Sequence, residues 1–506
     1  MTTVAGTSQI TTPLGHLWSI YADFTASGVP HPDIERFING AVHPYYANTH
    51  SNAHNGQLMQ SYIDQSKEII RRSVNACPRD RIIMTGNGCT GAIIHLIHLL
   101  DLRHRTSPYT VVFVSVAEHH SNYLPWKHLP VKLVVVPLLD SGLIDTKFLS
   151  REMTRYRKGG HPVICSFIAG SNVTGVIQPF YAISKLVHQA GGLIFWDFAG
   201  CGPYVPIDMH NDKETYFDAI MLSPHKMLGG PGTPGLLVAN DTLFRNAEPF
   251  YPGGGTVRFV CKTFTHYSSN LEKRESGGTP DIIGCIRAGM AFQLKDRIIH
   301  RIMKHEDHIN KLVRAAVRRW QKEIPGRVTM LNPDDKWNTP QVPIYSFIIK
   351  GLHYNFVVAL LNDFFGVQSR GGVSCCSLYA QHLLHISQKR EREIYGQITQ
   401  EHGVPKDYGW CRVTFHYTMT DDMVHYVLQA LEAVARHGSK WLSSYTYDEG
   451  GNRWSAKGWS ESKPERVLDY RQGDEVLAKV SSITSELLKG QLDSGIIKLS
   501  SGPTGK

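Results

Sequence analysis

Between residues 85 and 226, chemically useful side chains fall directly after short apolar runs. They are Cys89 and Thr90 in TGNGCTGAI, His119 and His120 in AEHHSN, Asn172 in SNVTG, Asp197 closing GLIFWD, and Ser223, His225 and Lys226 in SPHK. Singly, each has an ordinary structural explanation: a capping Asp197, a solvated Lys226, a hydrogen-bonded core His119. Together they supply a carboxylate, an amine, an amide, imidazoles and a turn of small residues whose backbone N–H groups can hold a phosphate. That set suits covalent chemistry on a carbonyl compound that carries a phosphate and a basic ring.

The elements that must position these groups follow from the apolar pattern. VVFVSV at 111, KLVVVPL at 132, PVICSFIAG at 162, GLIFWDFAG at 192, DAIMLS at 218 and GLLVA at 235 are short runs, apolar on both faces, separated by helix-length segments. This describes an α/β domain with a mainly parallel sheet, in which ligands bind at the carboxyl ends of the strands. SYIDQSKEIIRRSV and FYAISKLVHQAGG read as amphipathic helices. A long basic helix around residues 286–320 leads to a smaller α+β domain with strands VTML, IYSFIIK and CRVTFHYT and helices NFVVALLNDFF and DDMVHYVLQALEAVARHG. The expected division is an N-terminal segment 1–20, a large domain 21–310, a small domain 311–440 and an extension 441–506 that contains a helix in ERVLDYRQGDEVLAKVSSITSELL.

One cofactor needs the whole set of groups: pyridoxal 5'-phosphate requires a lysine, an acid at its ring nitrogen, an aromatic plane on the ring, a donor to its phenolic oxygen and an anion cradle. The ordered motifs YADFTASG, GCTGAI, EHHSNYLPW, SNVTG, WDFAG, SPHK, GGGTV, ESGGTPDIIG and RGGVSCC, from about Tyr21 to Ala435, resemble fold-type I pyridoxal-phosphate enzymes of the class V aminotransferase group, especially cysteine desulfurases and selenocysteine lyases. The resemblance implies that Lys226 carries the cofactor as a Schiff base and then moves the substrate α-proton. Asp197 would pair with the ring nitrogen, His119 would stack on the ring, and Asn172 would bond its phenolic oxygen. Cys89, Thr90, Ser223 and His225 would cradle the phosphate. Thr256 would reach the phosphate of a neighbouring subunit in a homodimer, and Arg370 would clamp the substrate carboxylate. The chain departs from the pattern at Gly200, where desulfurases commonly carry Gln, and in RGGVSCC, which replaces a His-rich sequence.

The reaction depends on what stands beside the substrate. Cys375, five residues after Arg370, matches the nucleophile of short-loop desulfurases, which convert L-cysteine to L-alanine and leave a persulfide for an acceptor protein. Cys376 follows as a second sulfur site or a structural thiol. An aminotransferase, an epimerase, another lyase without a persulfide step, and a non-catalytic binding protein are the alternatives. Composition narrows the partners. The 506 residues carry 53 basic against 44 acidic side chains with no long like-charge run, which suits an anionic small molecule better than nucleic acid. No apolar run reaches the roughly 20 residues of a membrane span, and nine cysteines without a CxxC pair point to neither disulfides nor a thiolate metal site. A cytoplasmic location is the expectation.

Overall fold

The structure is a computed structural model; it describes residues 8–103, 107–331, 338–399 and 404–459. The described residues through Lys457 belong to one compact unit. The helix expected within ERVLDYRQGDEVLAKVSSITSELL lies outside the described residues. No described helix is long and apolar enough to cross a membrane.

Seven strands build the large sheet: β1 (Asp80–Thr85), β2 (Val111–Ser115), β3 (Lys132–Val136), β4 (Val163–Ile168), β5 (Leu193–Asp197), β6 (Ala219–Leu222) and β7 (Gly235–Asn240). Their order is β1-β7-β6-β5-β4-β2-β3. Every pairing is parallel except those of β7, which runs against β1 and β6. Most of the runs apolar on both faces are buried interior strands, and every residue of β2 and β4 is buried; KLVVVPL instead forms the edge strand β3, where only Val136 is fully buried. Helix α1 (His54–Ser73) presents Met59, Ile63, Ser66 and Ile70 inward at helical spacing. It begins seven residues before the run SYIDQSKEIIRRSV, because Met59 continues that stripe. Helix α2 (Gly88–Leu99) follows β1 directly.

Helix α3 (Ile282–Glu323) starts at an Asp281 cap, whose carboxylate accepts from the Gly284 N–H at 2.9 Å. It passes from one core to another: Ala288, Ala291, Phe292 and Ile302 pack with the large sheet, Ile309, Val313, Val317 and Trp320 with a second cluster. That second cluster lies on a four-stranded antiparallel sheet of β8 (Val328–Met330), β9 (Ile344–Ile349), β10 (Arg370–Gly372) and β11 (Trp410–Thr414), ordered β8-β9-β11-β10. Helices α4 (Tyr354–Phe365) and α5 (Asp421–His437) contribute Phe356, Leu360, Val427 and Leu431 to it. A hairpin of Tyr445–Asp448 and Arg453–Ala456 closes over the same core, with Trp454 against Phe356 and the Tyr445 hydroxyl donating to Asp363 at 2.8 Å. Near the other end of the chain, Ile20 and Tyr21 pair in parallel with Val367 and Gln368, which sets the following YADFTASG segment between the large sheet and β11.

Candidate active site

The carboxyl ends of β1, β4, β5 and β6 open onto a cavity of about 340 Å³. Of Thr256 and the ten residues Cys89, Thr90, His119, Asn172, Asp197, Ser223, His225, Lys226, Arg370 and Cys375, to which the resemblance gives site roles, the ten line it. Thr256 does not. Its buried hydroxyl donates to the Gly253 carbonyl at 2.6 Å and accepts from the Gly253 N–H. The neighbouring Gly255 borders a second cavity of about 990 Å³, which shares Asn87 and Thr233 with the first.

The anion cradle is built at the start of α2. Gly88 has φ +58°, and a Cβ there would stand 2.6 Å from the His225 ring and 2.8 Å from Ser223 Oγ, so only glycine lets the β6 loop close over this helix start. The Cys89 N–H donates to Ser223 Oγ at 2.9 Å, and Thr90 Oγ1 lies 2.6 Å from Ser121 Oγ. Backbone donors, hydroxyls and the positive end of a 12-residue helix converge there. Burial and the nearby Lys226 push the His225 pKa down to about 4, so its imidazole is neutral near pH 7.

Lys226 ends a short 3-10 turn after β6, and burial lowers the pKa of its amine. Asp197 is buried at the end of β5, accepts from the Ala199 N–H at 2.8 Å, and has its pKa raised by burial. A cation at the open side of that carboxylate would restore its ionised form. The His119 Nδ1 accepts from the Ser121 N–H at 3.1 Å, which leaves the ring proton on Nε2. Burial first and Lys226 second push its pKa down to about 3. Gly200 also has a structural reason. A Cβ there would lie 2.3 Å from the Gly170 carbonyl oxygen, so the backbone approach leaves no room for a glutamine.

Cys375 sits on a short loop in which both Ser374 and Cys375 hold left-handed backbone, φ +54° and +57°. Such strain persists only where surrounding contacts fix it. Here the His120 N–H donates to the Cys375 carbonyl at 2.8 Å, Asn172 Nδ2 to the Ser374 carbonyl at 2.9 Å, and the Ser377 N–H to His120 Nε2 at 3.1 Å. Cys376 is not among the residues that line the cavity, though it bonds one that is. Its thiol is buried and donates to Asn172 Oδ1 at 3.1 Å, and burial pushes its pKa up to about 12.

Sequence reasoning missed Arg412. It lies directly across from Arg370 in the β10–β11 pairing, is 2% exposed, and lines the cavity. One guanidinium nitrogen donates to Asp23 at 2.5 Å, another to the Asn172 carbonyl at 3.1 Å. Its Nε has no hydrogen-bond partner among the described residues. An arginine inside the otherwise apolar strand WCRVT was the available signal, since buried charges occur where they are paired. Thr25 and Ala26, from YADFTASG, complete this wall, with Thr25 Oγ1 bonded to Thr414 Oγ1 at 2.7 Å.

Comparisons with known proteins agree with this geometry. The family model for aminotransferase class-V matches residues 20–427. The chain is 28% identical over 362 residues to a probable cysteine desulfurase of Halalkalibacterium halodurans, covering 70% of this chain and 84% of that protein. A probable cysteine desulfurase of Pyrococcus abyssi is 28% identical over 376 residues, with the same two coverages. Among solved structures, the apo cysteine desulfurase of Thermococcus onnurineus superposes with a TM-score of 0.69 at 21% identity, over 83% of this chain and 95% of that one. A cysteine desulfurase of Escherichia coli gives 0.64 at 21% identity, over 82% and 94%. The chain belongs to the aminotransferase class-V family, and its fold is the fold-type I architecture of pyridoxal-phosphate-dependent enzymes.

Proposed function

We propose that the protein is a pyridoxal-phosphate-dependent cysteine desulfurase, which takes sulfur from L-cysteine onto Cys375 and releases L-alanine. The residues fit the cofactor: Gly88, Cys89 and Thr90 line the cavity at the start of α2 with no Cβ on Gly88 to block the close approach of Ser223 and His225, Asp197 is a buried carboxylate, and Lys226 carries a buried amine in the same cavity. Lys226 would hold the cofactor, Asp197 its ring nitrogen, His119 its ring face, Asn172 its phenolic oxygen, and Cys89, Thr90, Ser223 and His225 its phosphate. Bound there, the cofactor supplies an electron sink that makes the substrate Cα–H acidic.

The chain's own groups do the rest. The Lys226 amine, with its proton affinity lowered by burial, takes up and returns the α-proton. The substrate carboxylate binds between Arg370 and Arg412, whose guanidinium groups offer planar donors to carboxylate oxygens. The Cys375 thiolate attacks the substrate sulfur. A sulfur–sulfur bond forms as the carbon–sulfur bond breaks, Cβ keeps the electron pair and gains a proton, and alanine leaves while a persulfide remains. An acceptor protein then collects that sulfur.

The observation that carries this reading is Cys375 on a pinned, strained loop at the wall of the cavity that also holds Lys226 and the arginine pair. Alanine and sulfide release from L-cysteine in the presence of a reducing thiol tests it. Cys375→Ala is expected to lose both products and keep the cofactor's yellow band. Full turnover in that variant overturns the persulfide step in favour of transamination, epimerisation or another elimination.

A homodimer is part of the same reading. Its support is the second cavity beside the first, bordered by Gly255, and the exposed Phe259, Val260 and Phe264 of the adjoining hairpin. Thr256 would act toward the phosphate of the other copy. Light scattering that gives a monomer mass for the cofactor-loaded protein would refute this part.

A further inference from the structure

A second cluster of reactive side chains stands at the opposite end of β1 from the catalytic cavity. The segment Cys77-Pro-Arg-Asp80 closes as a tight turn, in which the Asp80 N–H donates to the Cys77 carbonyl at 3.0 Å and the Cys77 N–H to Asp80 Oδ2 at 2.8 Å. The turn places thiol and carboxylate side by side. From a separate loop, His210 Nε2 approaches the same Asp80 Oδ2 at 2.6 Å. The sulfur, nitrogen and oxygen atoms all lie within 4.8 Å of one another. Since β1 rises about 3.3 Å per residue, this cluster is roughly 17 Å from the Thr85 end of the strand.

We propose that Cys77, Asp80 and His210 bind one divalent transition-metal ion, with Zn²⁺ the best match. A thiolate, an imidazole and a carboxylate are zinc ligands, and the first two disfavour the hard ions Mg²⁺ and Ca²⁺. The site is braced behind its ligands. Arg71 Nη1 donates to the Cys77 and Asp80 carbonyls at 3.0 and 2.9 Å, Asn240 Nδ2 to Asp80 Oδ1 at 3.2 Å, and the His210 N–H to Asp208 Oδ1 at 3.0 Å. Such outer contacts hold ligands in place before a metal arrives. Asp80 is fully buried, while Cys77 and His210 reach the surface, which gives the ion an entry path and leaves a fourth position for water.

Binding balances as follows. The thiol releases its proton to solvent, the imidazole carries its proton on Nδ1 so that Nε2 is free to ligate, and the ion takes the place of the hydrogens that now point at Asp80. Tetrahedral ligands at zinc distances stand about 3.4 Å apart, so His210 must withdraw about 0.8 Å from Asp80, a shift its partly exposed loop can make.

The test uses full-length protein freed of metal by a chelator, with Zn²⁺ alone as the probe. Alkylation of Cys77 by iodoacetamide, located by peptide mass mapping, is expected to slow about tenfold or more with one equivalent of Zn²⁺ and to be unaffected by Mg²⁺. In His210→Ala the protection should disappear, and equilibrium dialysis of Cys77→Ser should show one Zn²⁺ fewer than wild type. An unchanged alkylation rate in wild type overturns the proposal without reliance on any variant. Protection that persists undiminished in His210→Ala, or equal zinc content in Cys77→Ser, overturns it as well, and leaves the cluster a hydrogen-bonded brace.

Discussion

At the residue scale, the cavity assigns different work to groups of the same type. Cys375 lines it and Cys376, its neighbour, does not; the Cys376 thiol is buried and donates to Asn172. Cys376→Ser keeps a donor for Asn172 and should retain most activity. Cys376→Ala leaves Asn172 Oδ1 without that partner and should cost about 1–3 kcal/mol in urea denaturation. Lys226→Ala is expected to abolish the yellow band of the purified protein; a retained band would remove the cofactor assignment. Arg412→Lys keeps the charge but loses the fork that spans Asp23 and the Asn172 carbonyl. Steady-state kinetics on L-cysteine should show KM raised tenfold or more. Of the residues that line the cavity, Lys226, Asp197, His119 and Cys375 were legible because each follows a recognisable strand or motif. Arg412 was not, because its partners come from Asp23 and Asn172, hundreds of residues away in sequence.

At the element scale, strand ends fix the chemistry through close backbone approaches. Gly200 is the clearest case, since its Cα faces the Gly170 carbonyl from the adjoining loop. Gly200→Gln should therefore destabilise the fold by about 1–3 kcal/mol and weaken cofactor retention, instead of restoring a family donor. Denaturation midpoints followed by cofactor absorbance will show this, and a variant as stable as wild type would refute it. Glu118 links the end of β2 to β4, accepting from the Ser115 hydroxyl at 2.5 Å, the Ile168 N–H at 3.0 Å and Asn122 Nδ2 at 2.7 Å. Burial raises its pKa to about 8, against these donors. A carboxyl group whose folded pKa is raised binds more protons folded than unfolded, so its contribution is fully present below about pH 4.5 and is lost as pH rises through 8. The stability of wild type relative to Glu118→Gln should decline over that interval; a flat difference would contradict the shift.

At the scale of the whole molecule, α3 carries Phe292 in one core and Trp320 in the other. Trp320→Ala is expected to cost roughly 3–5 kcal/mol. The loss should appear in the cofactor signal of the large core as well as in total helicity, because one rigid helix transmits it; a cofactor transition that stays at the wild-type midpoint would show the cores to be independent. The sequence by itself determined the alternation of strands and helices, the order of the large-sheet segments along the chain and most of the residues that meet in the cavity, because runs apolar on both faces specify mainly parallel strands and functional side chains gather where such strands end. Tertiary structure decided that β7 runs antiparallel, that Arg412 stands across from Arg370, that no side chain fits at Gly200, and that only the first of two adjacent cysteines lines the cavity. Those outcomes depend on contacts between segments far apart in the chain, and local periodicity carries no record of which distant backbone will stand within a few ångströms.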